Sequence, residues 1–147
     1  MHVEKKYSIK APVGEVWSLI SKPESAIGFL PDIQSFQRVD DSTFTLEAKA
    51  PFSFISGTIR MGLKFITPKP HLIELKIDGK TIGSNFEIAA EIQLSGNQET
   101  TLIEWTSELK SGGLLKTIPD TVLAGAAAQM ADKTIENMKD GFNCNSQ

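Results

Sequence analysis

Between Ile33 and Leu109, apolar residues recur at every second position, and this alternation constrains the fold more than any other feature of the 147-residue chain. Successive side chains of a β-strand point to opposite faces, so the pattern predicts strands with one apolar and one polar face. Turn sequences separate the runs of alternation, which cover residues 43–49, 58–65, 72–78, 85–94 and 101–109. We therefore expect an antiparallel meander with one dry face.

The phase of the alternation changes between the first two runs. Phe52 and Phe54 are even-numbered, whereas the apolar residues from Ile59 onward are odd-numbered. We interpret the change, which falls near Ile55 to Gly57, as a bulge or a sharp bend, because such irregularities curl a sheet.

Along the sequence, helical patterns precede and follow the meander. After a first strand, the sequence predicts one short helix at residues 13–20 and a second from Glu24 to about Phe29. The final element, from about Pro119 to Phe142, has the period of an amphipathic helix. Its dry side contains Leu123, Ala127, Met130, Ala131, Thr134, Met138 and Phe142.

These elements predict an α+β fold in which one helix covers one sheet. The curved antiparallel sheet has about six or seven strands, and two short helices follow the first strand. The long C-terminal helix is left to cover the sheet's apolar face, so it must lie across the concave side. Without repeats or linkers, we expect a single domain over residues 1–147, with a disordered tail from about residue 143.

Composition argues against several classes of protein. The chain has 15 Lys and Arg against 18 Asp and Glu, and a net charge of -3 argues against nucleic-acid binding. No apolar run approaches the roughly 20 residues that span a bilayer, and the N-terminal MHVEKKYSIK lacks the apolar centre of a signal peptide. The lone cysteine, Cys144, fits a reducing compartment. We therefore expect a cytoplasmic protein.

Small side chains dominate the first half of the final helix, where Ala124, Ala126, Ala127, Ala128 and Ala131 are interspersed with larger Leu and Met. Small residues allow a helix to pack closely on a sheet. They also leave apolar space, and flexible Met side chains adapt to varied ligand shapes. The pattern is therefore compatible with a closely packed core and equally with a ligand cavity.

The sequence offers no pattern of catalytic or metal-binding residues. His2 and His71 lie at the chain start and in a turn, and no spacing of His, Cys, Asp and Glu matches a metal site. The strand carboxylates fall on polar faces; they are Glu87, Glu91, Glu104 and Glu108. We therefore expect neither catalysis nor a cofactor. The polar residues expected to face inward are Thr101, Ser107 and Thr134.

The first third of the chain carries motifs that resemble the START-like (SRPBCC) helix-grip superfamily. Pro12, Val16 and Trp17 form a Pro-x-x-x-Val-Trp opening, and Pro23-Glu24 and Leu30-Pro31-Asp32 follow it. These motifs are similar in kind and order to the opening of such domains.

The end of the chain resembles the same superfamily. The strand from Thr101 to Trp105, the turn Ser111-Gly112-Gly113 and the Ala-rich final helix are similar to the close of such a domain. Within the superfamily, the chain most resembles the CoxG-like family, that of the carbon monoxide dehydrogenase G subunit. It departs from that family at Phe29-Leu30-Pro31-Asp32, where the family often has Cys-Ile-Pro-Gly.

An apolar inner surface without buried ionisable pairs predicts a non-enzymatic protein that binds or carries an apolar small molecule between the sheet and the final helix. The resemblance implies that this ligand is lipid-like or quinone-like. It also implies a role accessory to a molybdenum carbon monoxide dehydrogenase-type oxidoreductase, in membrane recruitment or electron delivery. The predicted lining residues are Met61, Leu63, Leu75, Phe86, Ile88, Ile103, Trp105, Leu123, Ala127, Met130, Thr134 and Met138. Leu30, Leu114 and Leu115 lie in expected loops and are predicted to gate the cavity.

Two alternatives stay open. An aromatase/cyclase-like enzyme of the same superfamily would need an inward ionisable residue, and the alternation places none on the dry face. A co-chaperone-like interaction module would have no cavity and would expose an apolar patch. Any membrane contact would be apolar and transient, because the final helix mixes acidic and basic residues.

Overall fold

Seven strands of the described chain form one antiparallel sheet. The computed structural model describes residues 1–49, 57–66 and 69–145. In chain order the elements are β1 (His2–Ile9), α1 (Val13–Ile20), α2 (Pro23–Ile27), β2 (Ile33–Arg38), β3 (Thr43–Lys49), β4 (Thr58–Phe65), β5 (Leu72–Thr81), β6 (Ser84–Gly96), β7 (Thr101–Gly113), a 3₁₀-helix (Leu114–Thr117) and α3 (Asp120–Asn145).

The sheet is a meander with one added strand. Its strand order is β1-β7-β6-β5-β4-β3-β2, so each strand from β2 to β7 pairs with its neighbour along the chain, and β1 returns to pair with β7. The two short helices lie between β1 and β2, and α3 follows the meander. The predicted order of elements and the helix-grip fold are confirmed.

Burial of side chains follows the alternation read from the sequence. On β3, Phe44, Leu46 and Ala48 are buried, whereas Thr45 and Glu47 between them are exposed. Burying one face of a strand favours a single register, because a slip of one residue would turn the apolar side chains to solvent. The carboxylates expected on the polar faces are all exposed, and they are Glu87, Glu91, Glu104 and Glu108.

The phase change near residue 55 coincides with a connection between two strands. Lys49 at the end of β3 lies opposite Thr58 at the start of β4, so the two runs of alternation belong to separate strands of an antiparallel pair. Phe52, Phe54 and Ile55 lie outside the described residues. An irregularity is described elsewhere, since the pairing of β2 with β3 shifts in register between Ile33 and Ser35.

Helix α2 is shorter than the predicted span from Glu24 to about Phe29. It begins at Pro23, which suits a first helical turn because that position needs no backbone N–H donor. The N–H groups of Phe29 and Leu30 bond to the carbonyls of Ala26 and Ile27, three residues back, and not to the helical partner four residues back. The helix therefore tightens into a turn and ends at Ile27.

Helix α3 begins near the predicted position and extends to Asn145, so its backbone continues past the expected start of a tail at residue 143. The side chain of Phe142, predicted on the dry side, lies outside the described part of the chain, as does that of Cys144. Among the side chains of the helix that the structure describes, Leu123, Ala131, Ile135 and Met138 are buried and apolar. Within the described residues, no helix has the length and apolar character needed to cross a membrane.

Polar side-chain contacts connect α3 to β1 and to the loop after α2. The Tyr7 hydroxyl on β1 donates to Oδ1 of Asp132 at 2.6 Å, and Lys5 Nζ lies 3.3 Å from the same oxygen. Further along the helix, Asn137 Nδ2 donates to the carbonyl of Phe29 at 2.9 Å. The hydrogen bond from Tyr7 holds the pKa of Asp132 below its usual value, with help from Lys5. Burial, followed by the bond to Asp132, raises the pKa of Tyr7.

We expect Tyr7→Phe to lower the free energy of unfolding by about 0.5–1 kcal/mol at pH 7, a modest loss because Asp132 is partly exposed to solvent. The pKa of Asp132 is depressed only in the folded protein, so its contribution is present above the ordinary aspartate pKa of about 4 and is lost as pH falls through the lower folded pKa. Urea unfolding at pH 7 and at pH 2 would measure this. An equal loss at both pH values would show that the effect does not depend on the charge of Asp132.

Candidate functional site

An apolar cavity of about 230 Å³ lies between the inner face of the sheet and α3. Strands β3 to β7 supply its floor, α3 covers it, and residues of α1, α2 and the loop after α2 close one end. All of the residues predicted to line it do face it, and they are Met61, Leu63, Leu75, Phe86, Ile88, Ile103, Trp105, Leu123, Ala127, Met130, Thr134 and Met138. The alternation of the strands and the period of α3 place these side chains on the two facing surfaces.

The three residues predicted to gate the cavity differ in whether they border it. Leu30 and Leu115 both border the cavity, and Leu115 is buried. Leu114 does not border it and is 64% exposed, so its gating role stays a prediction without a contact to the cavity. The backbone N–H of Leu114 bonds to the carbonyl of Gly83, and the 3₁₀ turn that begins there directs Leu115 inward and Leu114 outward.

Sequence reasoning missed the closed end of the cavity. This end is formed by residues whose local pattern does not show which surface they cover, and they include Ile20, Ala26, Ile27, Phe29, Pro31 and Ile33. It also missed Ser111, although the odd-numbered inward positions of β7 continue through Leu109 to that residue. Extending the alternation by one further step would have found it.

Some of the small residues of α3 leave space for the cavity, and others allow close packing of the helix on the sheet. Ala126 and Ala127 border the cavity, so their short side chains leave space over the sheet. Ala131 also borders the cavity but is only 2% exposed, so it is packed against its neighbours. Ala124 and Ala128 are half-buried and do not border the cavity.

Phe86 narrows the cavity from the sheet side. Its ring covers Gly79, the residue opposite it on β5, so closely that a Cβ atom at Gly79 would overlap the ring. The absence of a side chain at Gly79 therefore allows the ring to lie flat against the strand instead of standing further into the cavity.

The loop that closes one end contains a backbone conformation that normally favours glycine. Asp32 has a φ of 62°, and its carbonyl accepts a hydrogen bond from the N–H of Lys49 on β3. At this position the chain has aspartate in place of the glycine of the Cys-Ile-Pro-Gly motif. Aspartate is one of the residues that tolerates the left-handed region, so the turn is retained without glycine.

Few polar side chains of the described residues face the cavity, and they are Lys49, Ser107, Ser111 and Thr134. Thr101, predicted to face inward, is buried but does not border the cavity, and its hydroxyl donates to the carbonyl of Ala11 at 2.8 Å. The Thr134 hydroxyl donates to the carbonyl of Met130 at 2.8 Å. Lys49 is the one ionisable side chain among the described lining residues, and it is exposed at the surface. Apart from this lysine, the described residues that line the cavity carry no charge.

Neither histidine belongs to the cavity. His2 is exposed on β1, where hydrogen bonds to Glu4 and then to Glu108 raise its pKa. His71 is exposed and meets the Trp17 ring edge-on at a centroid distance of 5.8 Å. In the described ranges, no group of three His, Cys, Asp or Glu residues is arranged to hold a metal ion.

Comparison with known proteins gives both a family and a fold. The sequence matches CoxG, the carbon monoxide dehydrogenase G subunit, over residues 6–143, whereas no curated protein matches it. A conserved protein from Geobacillus kaustophilus has a similar structure, with a TM-score of 0.88, 17% identity, and coverage of 96% of this chain and 94% of that one. A START superfamily protein from Mycobacterium smegmatis has a TM-score of 0.77 and 12% identity, covering 95% and 94%.

A more distant likeness is to norcoclaurine synthase from Thalictrum flavum, with a TM-score of 0.62, 16% identity, and coverage of 91% of this chain and 83% of that one. At such identities the likeness concerns the fold alone. The fold is START-like, and together with the family match it indicates a ligand-binding helix-grip protein. The chain belongs to the CoxG family, that of the carbon monoxide dehydrogenase G subunit.

Proposed function

We propose that the protein binds and carries an uncharged, apolar small molecule in the cavity between the sheet and α3, without catalysing a reaction on it. The observation that carries this proposal is a cavity of about 230 Å³ whose described lining is apolar except for a few hydroxyl groups and one lysine at the surface. Burying apolar surface is favourable, whereas an unpaired charge in such surroundings would be costly.

The size and polarity of the cavity favour a lipid-like or quinone-like ligand. An apolar protein cavity of about 150 Å³ holds a benzene ring, so the larger volume here suits a molecule of about two fused rings or a short acyl segment. Lys49, at the end of β3, borders the cavity and is exposed.

Family membership supports the finer part of the proposal. We infer that the ligand serves a molybdenum carbon monoxide dehydrogenase-type oxidoreductase, with this protein acting in electron delivery or membrane recruitment through a transient contact. Co-purification with such an enzyme, and reduction of a quinone carried by this protein, would test that role. If both tests failed, the proposed partnership with the oxidoreductase would be wrong, whereas the proposed binding of a ligand would be unaffected.

The enzyme alternative requires an ionisable group inside the cavity. Arg60 on β4, which would supply such a group if it pointed inward, has a side chain that is 83% exposed and lies 3.8 Å from Glu47 on the outer face. Among the described lining residues, Lys49 is the one ionisable side chain, and it is exposed at the surface, away from the position that a general acid or base inside the cavity would need.

A naphthoquinone provides a direct test of the binding site. Trp105 borders the cavity, whereas Trp17 packs beside His71 and does not border it. In ¹⁵N-labelled protein, titration with menadione should shift the indole N–H signal of Trp105 saturably and leave that of Trp17 in place. The indole N–H signal that is lost in Trp17→Phe belongs to Trp17, and the one that is lost in Trp105→Phe belongs to Trp105. Absence of any shift at Trp105, or a larger shift at Trp17, would contradict the proposed site.

A further inference from the structure

One buried hydroxyl faces the cavity without a partner in the protein. Ser107 on β7 is only 8% exposed and borders the cavity. Within the described ranges, no protein group is hydrogen-bonded to its hydroxyl, and no fully enclosed side-chain oxygen or nitrogen lacks a bond. The Ser107 oxygen is therefore open to space, and its inward position on β7 makes that space the cavity.

Ser107 differs in this respect from Thr101 and Thr134, the other two polar residues predicted to face inward. The hydroxyls of Thr101 and Thr134 are committed to the carbonyls of Ala11 and Met130. The lysine at the cavity edge is exposed to solvent. The Ser107 hydroxyl is thus a buried hydrogen-bonding group on the cavity floor that remains available to a ligand.

The neighbours of Ser107 leave room for a ligand atom. Val3 and Ala90 lie opposite it on the two adjoining strands, and both are small or medium-sized apolar residues. Ser111 also faces the cavity, but four residues of strand place it about 13 Å further along β7. A single carbonyl or hydroxyl group can therefore reach one of the two serines and not both.

We propose that the Ser107 hydroxyl hydrogen-bonds one oxygen of the ligand and makes the cavity selective for uncharged apolar molecules that carry a carbonyl or hydroxyl group. This inference rests on the proposed binding function. A serine hydroxyl can donate to a carbonyl or accept from a hydroxyl. Because a buried hydroxyl without a partner is unfavourable, a ligand oxygen that bonds to it gains affinity over a hydrocarbon of the same shape.

Two probes of matched shape test the selectivity. 2-Acetylnaphthalene carries a carbonyl, and 2-isopropenylnaphthalene replaces that oxygen with a CH₂ group. For the unmodified protein, the ratio of dissociation constants should favour the ketone. Ser107→Ala should weaken ketone binding about three- to tenfold, the range that corresponds to one neutral hydrogen bond. Binding of the hydrocarbon should stay the same.

Thr106→Ala is the matched control, because it removes a hydroxyl from the residue next to Ser107 on β7, which faces the other side of the sheet and does not border the cavity. It should leave the ratio between the two probes unchanged. A Ser107→Ala protein with an unaltered ratio would overturn the role of Ser107 while leaving the proposed function intact. If the unmodified protein binds neither probe, both the proposed function and this inference fail.

Stability provides a second readout. Because no described protein group bonds to the Ser107 hydroxyl, Ser107→Ala should unfold at the same or a higher urea concentration than the unmodified protein. A clear loss of stability would show that the hydroxyl has a structural role, and it would overturn its assignment to the ligand.

Discussion

Ala127→Trp is expected to abolish menadione binding while the protein stays folded. Ala127 is half-buried on α3 and faces the cavity, so an indole ring at this position would occupy the space that the ligand needs. A cavity that is empty without ligand accommodates the ring with little strain. A filled core would instead be overpacked, at a cost of about 1–3 kcal/mol. Calorimetric titration and urea unfolding would measure the two effects separately.

Gln129→Trp is the control for this substitution, because Gln129 is exposed on the same helix. It introduces the same side chain outside the cavity and should leave both binding and stability unchanged. Undiminished menadione binding by Ala127→Trp would contradict the location of the site. A loss of stability in the overpacking range would indicate a filled core.

Truncation of two phenylalanines on the same face of the sheet should have unequal effects. Phe44 on β3 is fully buried, packs edge-on against Phe65 and does not border the cavity. Phe44→Ala should therefore lower the free energy of unfolding by about 3–5 kcal/mol, since it creates a new cavity in a packed region. Phe86→Ala should cost at most about half as much, because the half-buried Phe86 ring already borders empty space.

Urea unfolding of the two variants would measure the difference, and menadione titration would add a second comparison. Phe86→Ala enlarges the cavity and should change the affinity, whereas Phe44→Ala should leave the affinity of the remaining folded protein close to normal. Equal losses of stability would mean that Phe86 lies in a packed core. That result would remove the space on which the proposed function depends.

The sheet and its covering helix could be predicted from the sequence because both signals are periodic. Alternation along β3 to β7 shows which side chains share a face, and the period of α3 shows which of its residues face the sheet. The apolar face of the sheet and the apolar face of α3 must pack against each other. The residues on these two faces are therefore the ones that line the space between them. For this reason periodicity alone is enough to predict that Met61, Trp105 and Met138 line the cavity, as they do.

The ends of the cavity could not be predicted in the same way. Phe29 and Pro31 lie in a loop without a period, and nothing local shows that this loop closes over the sheet. Leu114 and Leu115 are identical side chains in consecutive positions, and only the 3₁₀ turn following Gly113 determines which one is buried. Which of these loop residues is buried depends on the backbone conformation, and the apolar character of a side chain does not determine that conformation.

The state of the inward hydroxyls also depended on long-range contacts. Thr101 bonds to the carbonyl of Ala11, 90 residues away along the chain, so no local pattern could show that its hydroxyl is occupied. Thr134 bonds within its own helix turn, as threonine in a helix often does. The sequence therefore predicted three inward polar residues, and the structure distinguishes Ser107 from the other two.

The central claim is that the cavity holds an uncharged apolar molecule. The most direct test is native mass spectrometry of the protein purified from its own source, followed by solvent extraction of the same sample. We expect a fraction with added mass that is lost after extraction, with the extract containing an uncharged lipid or quinone of that mass, and Ala127→Trp protein purified in parallel without it. Protein of unmodified mass only, or an adduct that Ala127→Trp retains, would contradict the account.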